Sequence, residues 1–387
     1  SEAQFAARIE QRRQKVESAS GLLPDGRVDG GFFKMLVWDE PQSLRAGFKT
    51  EKGKAAKVFV DSISRILGLT ATPVMNYGIE MYNVMEFIVP GLLGSQEEFI
   101  REWCEGDDKR VADPDALGAY LREQHAVLRR TEDDVGRTMP QPNVLTHYVA
   151  FDEKQAERNE ELAYTLAIRS QRGNFMERGS AYRQLDALTR LSTGMAKAAG
   201  VADYVRILLE ADLPVLLSGW HREVYDVWLD ELRDWKPLLY TGTETTRVKE
   251  RHKNAFIAGD SNLLIISNRS GAGLDGLQAR CQDFVAGELD WSPMVLKQLV
   301  GRLRRYGQED VVNAHYMIAN GGSDPLMVEA LGLKSSQAHG IMNPFEKPKA
   351  ATHDGSRMQR LAEMVIERRK AKLAGVRQDP QVLALTA

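Results

Sequence analysis

Cysteine is scarce in this chain, and the patterns of several common protein classes are missing from it. Cys104 and Cys281 are its only two cysteines, and they form no C-x-x-C motif. Neither a zinc site nor a disulfide framework is therefore predicted, and a reducing compartment is expected. No apolar run approaches the ~20 residues of a membrane span, and no secretory leader is visible. We expect a cytoplasmic protein with no membrane partner.

Charge of one sign is not in excess either. The chain carries 51 Lys and Arg against 54 Asp and Glu, a net charge of −3. This balance gives no sign of a nucleic-acid partner, although a local basic stripe can be hidden in a neutral total. With 387 residues, 43% of them hydrophobic, the chain is long enough for two or three compact domains.

The most informative stretch is Gln298–Gln308, which reads QLVGRLRRYGQ. We predict a helix that ends at Gly307, on which Arg302 and Arg305 share a face because they are three residues apart. Two guanidinium groups on one face can converge on a single anion. The alternative is a solvated basic helix end. The flanking glycines and glutamines favour a helix that presents its cations to a phosphate.

A pair of carboxylates follows an apolar run near the start of the chain. Residues 35–38, MLVW, predict a buried strand, and Asp39 and Glu40 come directly after it. Open α/β sheets bind ligands at this end of their strands. Phosphoryl transfer needs one carboxylate to hold Mg²⁺ through its water shell, assigned to Asp39, and one to orient the attacking water, assigned to Glu40. The alternative is a simple turn at the end of a strand.

A second short strand is predicted at 66–69, and hydroxyl groups follow it. Thr70 and Thr72 belong to the string TATP. Hydroxyls directly after a strand can bridge phosphate-side carboxylates to a neighbouring lobe, whereas the alternative is a Thr/Pro turn.

A glycine-rich segment follows the continuous β pattern of residues 262–267. It reads SNRSGAGLDG, with glycines at 271, 273 and 276. Glycines let backbone amides approach a ligand closely, and a cluster of Ser, Asn and Arg suits a phosphate backbone. A glycine-rich turn between strand and helix is an equally good interpretation of this segment alone.

The coarse pattern predicts an α/β fold with parallel sheets. From residue 201 onward strands and helices alternate, which is typical of a parallel sheet with crossover helices. Residues 151–200 are charged and amphipathic without a strand signal. We predict a first lobe at 1–150, a helical connector at 151–200, a second lobe at 201–335, and a linker with a C-terminal helix at 336–387.

These motifs together resemble a known family. QLVGRLRRYGQ resembles motif VI of superfamily 2 helicases in the form used by Swi/Snf-type DNA translocases. The strings at 39–40, 70–73 and 267–273 resemble motifs II, III and V, in the family's order. The resemblance covers about residues 30–335 and implies two RecA-like lobes that use ATP, Mg²⁺ and duplex DNA.

The resemblance also implies a role for each motif residue. Arg305 would be the arginine finger and, together with Arg302 beside it, would stabilise the transition state, while Gln298 would align their helix. Asp39 and Glu40 keep the metal and water roles, and Thr70 and Thr72 relay between sites. The segment after residue 266 would touch DNA through Ser267, Arg269, Ser270 and Gly271, and the nucleotide through Gly273 and Asp275.

Several departures from the family pattern shape the expected activity. DEPQ, TATP and GELDWSP differ from the usual strings, which shifts the resemblance toward divergent bacterial or phage members. No G-x-x-x-x-G-K-[ST] motif occurs in the sequence. We therefore expect an incomplete first lobe, the C-terminal portion of an ATP-dependent helicase or translocase, inactive by itself. The alternatives are a non-hydrolysing DNA-binding or regulatory subunit, and one subunit of a split motor whose second polypeptide carries the missing loop.

Overall fold

The computed structural model describes residues 33–70, 78–104, 110–130, 134, 136, 139–172, 174–269, 274–329 and 357–373. The chain divides into two compact units. The first comprises Ser1–Arg129 with Lys334–Lys349, and the second comprises Arg130–Leu333 with Ala350–Ala387. Among the described helices, none combines the length and the apolarity that crossing a membrane requires.

In its described residues, the first unit contains a two-stranded parallel sheet and four helices. Its elements are β1 (Leu36–Asp39), a 3-10 turn (Pro41–Leu44), α1 (Glu51–Val60), β2 (Ile66–Leu69), α2 (Gly78–Ile88), α3 (Gln96–Trp103) and α4 (Pro114–Glu123). Side chains cap three of these helices, as Thr50 does for α1, Ser95 for α3 and Asp113 for α4. A buried cluster that includes Met81, Phe99 and Leu117 joins α2, α3 and α4.

The small sheet of the first unit has one open face in the described residues. β1 and β2 pair in parallel, with Asp39 opposite Leu69. Alternate side chains are exposed, so that Val37 is 50% exposed, Leu67 42% and Leu69 48%. Parallel sheets are normally covered on both faces, which makes this apolar exposure unusual. The predicted incompleteness of the first lobe stays a prediction.

The second unit is built on a six-stranded sheet in which all the pairings are parallel. The strand order is β3-β8-β7-β4-β6-β5. The strands are β3 (Asn143–Tyr148), β4 (Val215–Gly219), β5 (Leu238–Tyr240), β6 (Leu263–Ser267), β7 (Asp283–Ala286) and β8 (Asn313–Ile318). The helices are α5 (Glu153–Glu157), α6 (Glu160–Gln171), α7 (Phe175–Glu210), α8 (Arg222–Glu231), α9 (Thr246–Ala258), α10 (Pro293–Val300) and α11 (Arg357–Leu373). The predicted α/β fold class with parallel sheets is confirmed.

The central strands of this sheet are apolar because both of their faces are buried. β4 is buried at every residue, and β6 is buried up to its last residue. One face packs against α7 and α8 through Val201, Val205 and Trp228. The other packs against α9 and α10 through Phe256 and Leu296. Such two-sided burial explains the continuous hydrophobic runs in the sequence.

The unit boundaries differ from the predicted ones at two points. Residues 143–148, predicted in the first lobe, form the edge strand β3 of the second unit's sheet, paired with β8. The pairing partners are 170 residues apart, and local sequence patterns carry no information at that range. Helix α7 starts in the predicted connector and continues into the second unit, because its buried face runs from Ala181 to Leu209.

The C-terminal helix α11 packs on α6 and α7. Leu361, Ala362 and Ile366 are buried there. Arg369 forms ion pairs with Glu160 and Glu161 at 3.7 and 2.8 Å. Arg369, the central residue of the basic end at 368–370, is thus bound within the fold.

Candidate functional site

The predicted carboxylates lie at the carboxyl end of β1. Asp39 is the last residue of the strand and is exposed. Glu40 follows in a left-handed conformation, with φ 55° and ψ 59°. Its amide donates a 2.8 Å hydrogen bond to the carbonyl of Leu69, which continues the pairing with β2. Non-glycine residues rarely adopt this conformation, and holding one there costs on the order of 1–3 kcal/mol.

Hydrogen bonds fix the side chain of Glu40. Its Oε2 accepts a bond from Thr70 Oγ1 at 3.0 Å and another from Gln42 Nε2. Gln42 itself is buried in the 3-10 turn. The structure thus joins the segment after β1 to the segment after β2. The role predicted for Thr70, a bridge from the carboxylates to a neighbouring lobe, stays a prediction. Thr72 lies outside the described residues.

The arginine segment of the second unit is not helical as far as predicted. Helix α10 ends at Val300, with Gly301 as its cap, and the chain continues in turns to Gly307, whose φ is 91°. The prediction of a helix up to Gly307 was therefore wrong. Gln298 lies in the last turns of α10. Gln308 donates a 2.9 Å hydrogen bond to the carbonyl of Cys281, which fixes the end of the segment beside β7.

Arg302 and Arg305 nevertheless converge, because both reach the segment that follows β6. Arg302 Nη1 is 3.5 Å from the carbonyl oxygen of Leu274. Arg305 Nη1 is 2.7 Å from Oδ1 of Asp275. The hydrogen bond from Arg305 lowers the pKa of Asp275, and the backbone amide of Gly276 and the charges of both arginines act in the same direction. The structure therefore brings the arginine pair and Asp275 together.

Trp220 and two arginines gather at the carboxyl ends of β4 and β6. Ser267 ends β6, and its Oγ accepts a 3.3 Å hydrogen bond from the amide of Arg269. The guanidinium of Arg269 lies over the indole of Trp220, 4.1 Å from the ring centre. Arg190 of α7 contacts the same ring at 4.4 Å. Ser270, Gly271 and Gly273 lie outside the described residues.

A buried carboxylate that is not among the predicted site residues supports Trp220. Glu288 follows β7 and accepts bonds from the amides of Trp220 and His221 at 2.7 and 2.9 Å, and from His221 Nδ1 at 2.6 Å. A Cβ at Gly194 of α7 would lie 2.5 Å from this carboxylate, so only glycine fits there. The acidic string GELD is visible in the sequence. The position of its glutamate beside Trp220, however, depends on strand β7, which was not predicted.

The two predicted clusters belong to different units. Asp39, Glu40 and Thr70 lie in the first unit, while Arg302 and Arg305 lie in the second. Within the first unit Thr70 bonds to Glu40, and within the second both arginines reach the segment after β6. That they act on one nucleotide stays a prediction.

Comparison with known proteins identifies the group to which the chain is homologous. Residues 25–197 match the SNF2-related domain. The chain is 26% identical over 340 residues to the mouse DNA annealing helicase and endonuclease ZRANB3, covering 83% of this chain and 31% of that protein. It is 26% identical over 305 residues to a Xenopus tropicalis protein, the SWI/SNF-related matrix-associated actin-dependent regulator of chromatin subfamily A-like protein 1 (76% and 32%). It is 24% identical over 322 residues to the ATP-dependent helicase YqhH of Bacillus subtilis (74% and 55%).

The chain thus spans about a third of the animal relatives, and the bacterial or phage origin stays a prediction. Among solved structures it is similar to the C-terminal part of the Fun30 ATPase domain, with 11% identity and a TM-score of 0.44 over 60% of this chain and 99% of that one. The Sulfolobus solfataricus SWI2/SNF2 ATPase core in complex with dsDNA gives 18% identity and a TM-score of 0.42, over 80% and 69%. Through its SNF2-related domain and its sequence relatives, the chain is homologous to the Swi/Snf-type group of superfamily 2 helicases.

Proposed function

We propose that this chain is the C-terminal portion of a DNA translocase that couples ATP hydrolysis to movement along duplex DNA. The observation that carries the proposal is the fixed carboxylate of Glu40, bonded to Thr70 at the shared end of two parallel strands. A strained backbone and two side-chain donors orient one acid, while its neighbour Asp39 is left exposed. This is the arrangement that in-line attack by a water molecule needs.

Asp39 and Glu40 would have different roles at this end of the sheet. Carboxylate oxygens fit a hard cation, and Mg²⁺ held through water needs one or two of them. Asp39 would hold the ion, which supplies charge neutralisation on the phosphates when it is bound. Glu40 would orient the attacking water, because its other partners fix the direction in which the carboxylate points. Thr70 would pass changes at the nucleotide to the rest of the molecule, together with Thr72.

Arg305 is proposed as the finger that stabilises the transferring phosphoryl group. In the structure its charge is balanced by Asp275, which is mostly exposed. An exposed pair of this kind is worth little, so a phosphate could take the guanidinium from Asp275 at small cost. Arg302 and Gln298 would keep the segment in place, and Gly273 would lie beside the nucleotide with Asp275. Finger contacts contribute roughly 10³ to 10⁵ in rate.

DNA contact is proposed at the carboxyl edge of the second unit's sheet. Arg269 and Ser267 lie there, and Trp220 supports the guanidinium of Arg269. Stacking leaves the N–H groups at the edge of a guanidinium available for phosphate oxygens. Ser270 and Gly271 would extend the same surface. The relatives named as DNA annealing helicases agree with such a partner.

A non-hydrolysing DNA-binding or regulatory subunit is the second candidate. The observation in its favour is the lack of a G-x-x-x-x-G-K-[ST] motif in the 387 residues. Such a protein would keep the surface around Arg269 and would release no phosphate.

The test measures phosphate release with and without duplex DNA, alongside DNA binding, first by this chain alone and then after addition of a polypeptide that carries the G-x-x-x-x-G-K-[ST] segment of a Swi/Snf-type lobe. In the mixture we expect DNA-stimulated release that falls roughly 10³-fold in Arg305→Ala and by a similar factor in Glu40→Gln, while DNA affinity stays within a few-fold. Arg233→Ala is the matched control, because this arginine is exposed near the amino end of β5. Release that survives both substitutions would refute the roles given to Glu40 and Arg305. DNA binding without release, both alone and in the mixture, would favour the second candidate.

A further inference from the structure

A cluster that the proposed motor does not use lies at the edge of the second unit's sheet. It consists of His147 on β3, His315 on β8 and Tyr204 on α7. The three pairwise distances are 3.1 Å between His147 Nε2 and His315 Nδ1, 3.1 Å between Tyr204 Oη and His147 Nε2, and 2.9 Å between Tyr204 Oη and His315 Nδ1. Three donor atoms from three separate elements thus form a nearly equilateral triangle.

A buried carboxylate orients one of the two imidazoles. His315 Nε2 is 3.2 Å from Oδ1 of Asp283, which also accepts a bond from Asn313 Nδ2 at 3.0 Å. Because an ionised carboxylate only accepts, Nε2 carries the hydrogen and Nδ1 presents its lone pair to the triangle. A histidine whose second nitrogen is held by a carboxylate is the usual form of a metal-binding histidine.

The charge of Asp283 is only partly compensated. Asp283 is 2% exposed, and its Oδ2 has no hydrogen-bond partner among the described residues. A buried carboxylate without a full set of partners is costly. A cation bound on the far side of His315 would lower that cost by polarising the imidazole between them.

We propose that His147, His315 and Tyr204 form a site for a divalent transition-metal ion, with Zn²⁺ as the expected occupant and Asp283 as the group that orients His315. Ligand atoms about 2.1 Å from a tetrahedral Zn²⁺ ion are about 3.4 Å apart. The sides of the triangle, 3.1, 3.1 and 2.9 Å, are slightly shorter, so the three donor atoms would move slightly apart on binding. An ion would sit above its plane, with water in the remaining positions.

The donor set selects the class of ion. Two imidazole nitrogens and a phenol oxygen suit Zn²⁺, Cu²⁺ and Ni²⁺, whereas Mg²⁺ and Ca²⁺ prefer oxygen alone. No group of three or more His, Cys, Asp and Glu side chains in the described part of the chain is placed to hold a metal, and the phenol of Tyr204 supplies the third donor here. His147 and Tyr204 are both partly exposed, so an ion can reach them from solvent.

The site would attach the edge strand to the rest of the unit. β3 is exposed along most of its length and is bound to the sheet on one side only, by β8. A metal that joins β3, β8 and α7 would therefore stabilise this edge. Without metal, the same atoms can close a ring of hydrogen bonds, in which Tyr204 donates to His315 and His147 donates to Tyr204.

The experiment titrates the metal-free chain with Zn²⁺ in competition with a chromophoric chelator. We expect one equivalent to bind at micromolar or lower free zinc. Affinity should fall about 100-fold or more in His147→Ala and roughly 10-fold in Tyr204→Phe, by analogy with the 10–100-fold effects of supporting residues around metals. Co²⁺ bound to the same site should give an absorption spectrum that His147→Ala abolishes. His125→Ala is the control, because this histidine is exposed in the first unit.

His315→Ala is not relied on alone, since it also leaves Asp283 buried without its partner. His147 and Tyr204 are partly exposed, and circular dichroism would show that their variants fold. Absence of stoichiometric zinc binding would overturn the proposal, and so would equal affinity in the parent chain, His147→Ala and Tyr204→Phe. The trio would then be a ring of hydrogen bonds and nothing more. DNA-stimulated phosphate release is a separate measurement, so failure here leaves the proposed motor function untouched.

Discussion

The two sheets of this molecule place functional groups in the same way but support them very differently. In each unit, the polar residues of the candidate site lie at the carboxyl ends of parallel strands, as ligand-binding residues do in doubly wound folds. The six-stranded sheet is covered on both faces, and its central strands are buried almost completely. The two-stranded sheet exposes every second residue in the described structure.

This difference separates what positions a site from what stabilises a domain. Glu40 is oriented by a local turn and by its bonds to Thr70 and Gln42, with little core beneath it. Glu288 is oriented by two amides and an imidazole at the end of a fully packed sheet. Substitutions in the strands should therefore affect stability strongly in the six-stranded sheet and weakly in the two-stranded sheet.

The largest effect is expected where a buried charge loses its partner. Lys197 is 1% exposed and bonds to Asp324 at 2.7 Å and to the carbonyl of Met317 at 2.8 Å. Lys197→Ala should lower the free energy of unfolding by about 3–5 kcal/mol, because Asp324 stays buried without its cation. In the first unit, Lys57→Ala breaks an exposed ion pair with Asp61. This substitution should change the free energy of unfolding by less than about 0.5 kcal/mol.

Urea titration followed by tryptophan fluorescence measures both variants. Trp38 and Trp103 report on the first unit, and the remaining tryptophans, at 220, 228, 235 and 291, report on the second. Equal losses of unfolding free energy in Lys197→Ala and Lys57→Ala would contradict the expected difference between the two units.

The next effect compares one residue type in two strands. Leu216 in β4 is 0% exposed, whereas Leu67 in β2 is 42% exposed. Leu216→Ala should destabilise by about 2–5 kcal/mol, since it leaves a cavity in a packed core. Leu67→Ala should cost less than about 1 kcal/mol. A large loss from Leu67→Ala in the same urea titration would show that the open face of the small sheet is covered in solution.

The sequence indicated those features that depend on short stretches of chain. β1, β2 and β6 lie within a residue or two of predicted strands, and β4, β5 and β8 fall in the part of the chain where strands and helices were predicted to alternate. The bond from Thr70 to Glu40 follows from two adjacent strand ends. Arg302 and Arg305 were recognised from one string, although Gly301 ends the helix earlier than the arginine spacing suggested.

Features that depend on distant pairing were not predictable in this way. β3, which reads NVLTHY, is mostly exposed, and its apolar and polar residues do not alternate as in a half-buried strand. β7 has only four residues and was not predicted as a strand. The position of Glu288 after its carboxyl end could therefore not be predicted either. The triangle around Tyr204 joins residues up to 168 apart. Only the sheet order brings them together.

The smallest effect has the opposite sign and tests the site itself. Glu40 is held in a left-handed conformation that glycine adopts without strain. Glu40→Gly should relieve that strain. Because glycine also increases the conformational entropy of the unfolded chain, the gain in unfolding free energy should be smaller than the strain energy. The net result should be a stabilisation of about 0.5–1 kcal/mol. The same variant should lose DNA-stimulated phosphate release, because the carboxylate is gone.

Glu40→Gln is the matched comparison for that variant, since it keeps the backbone strain and removes the charge. It should lose phosphate release without any gain in stability. If Glu40→Gly is instead destabilised, the bonds from Thr70 and Gln42 contribute more to the fold than the strained backbone costs. The left-handed conformation of Glu40 would then be explained by packing of the first unit and not by a role in catalysis.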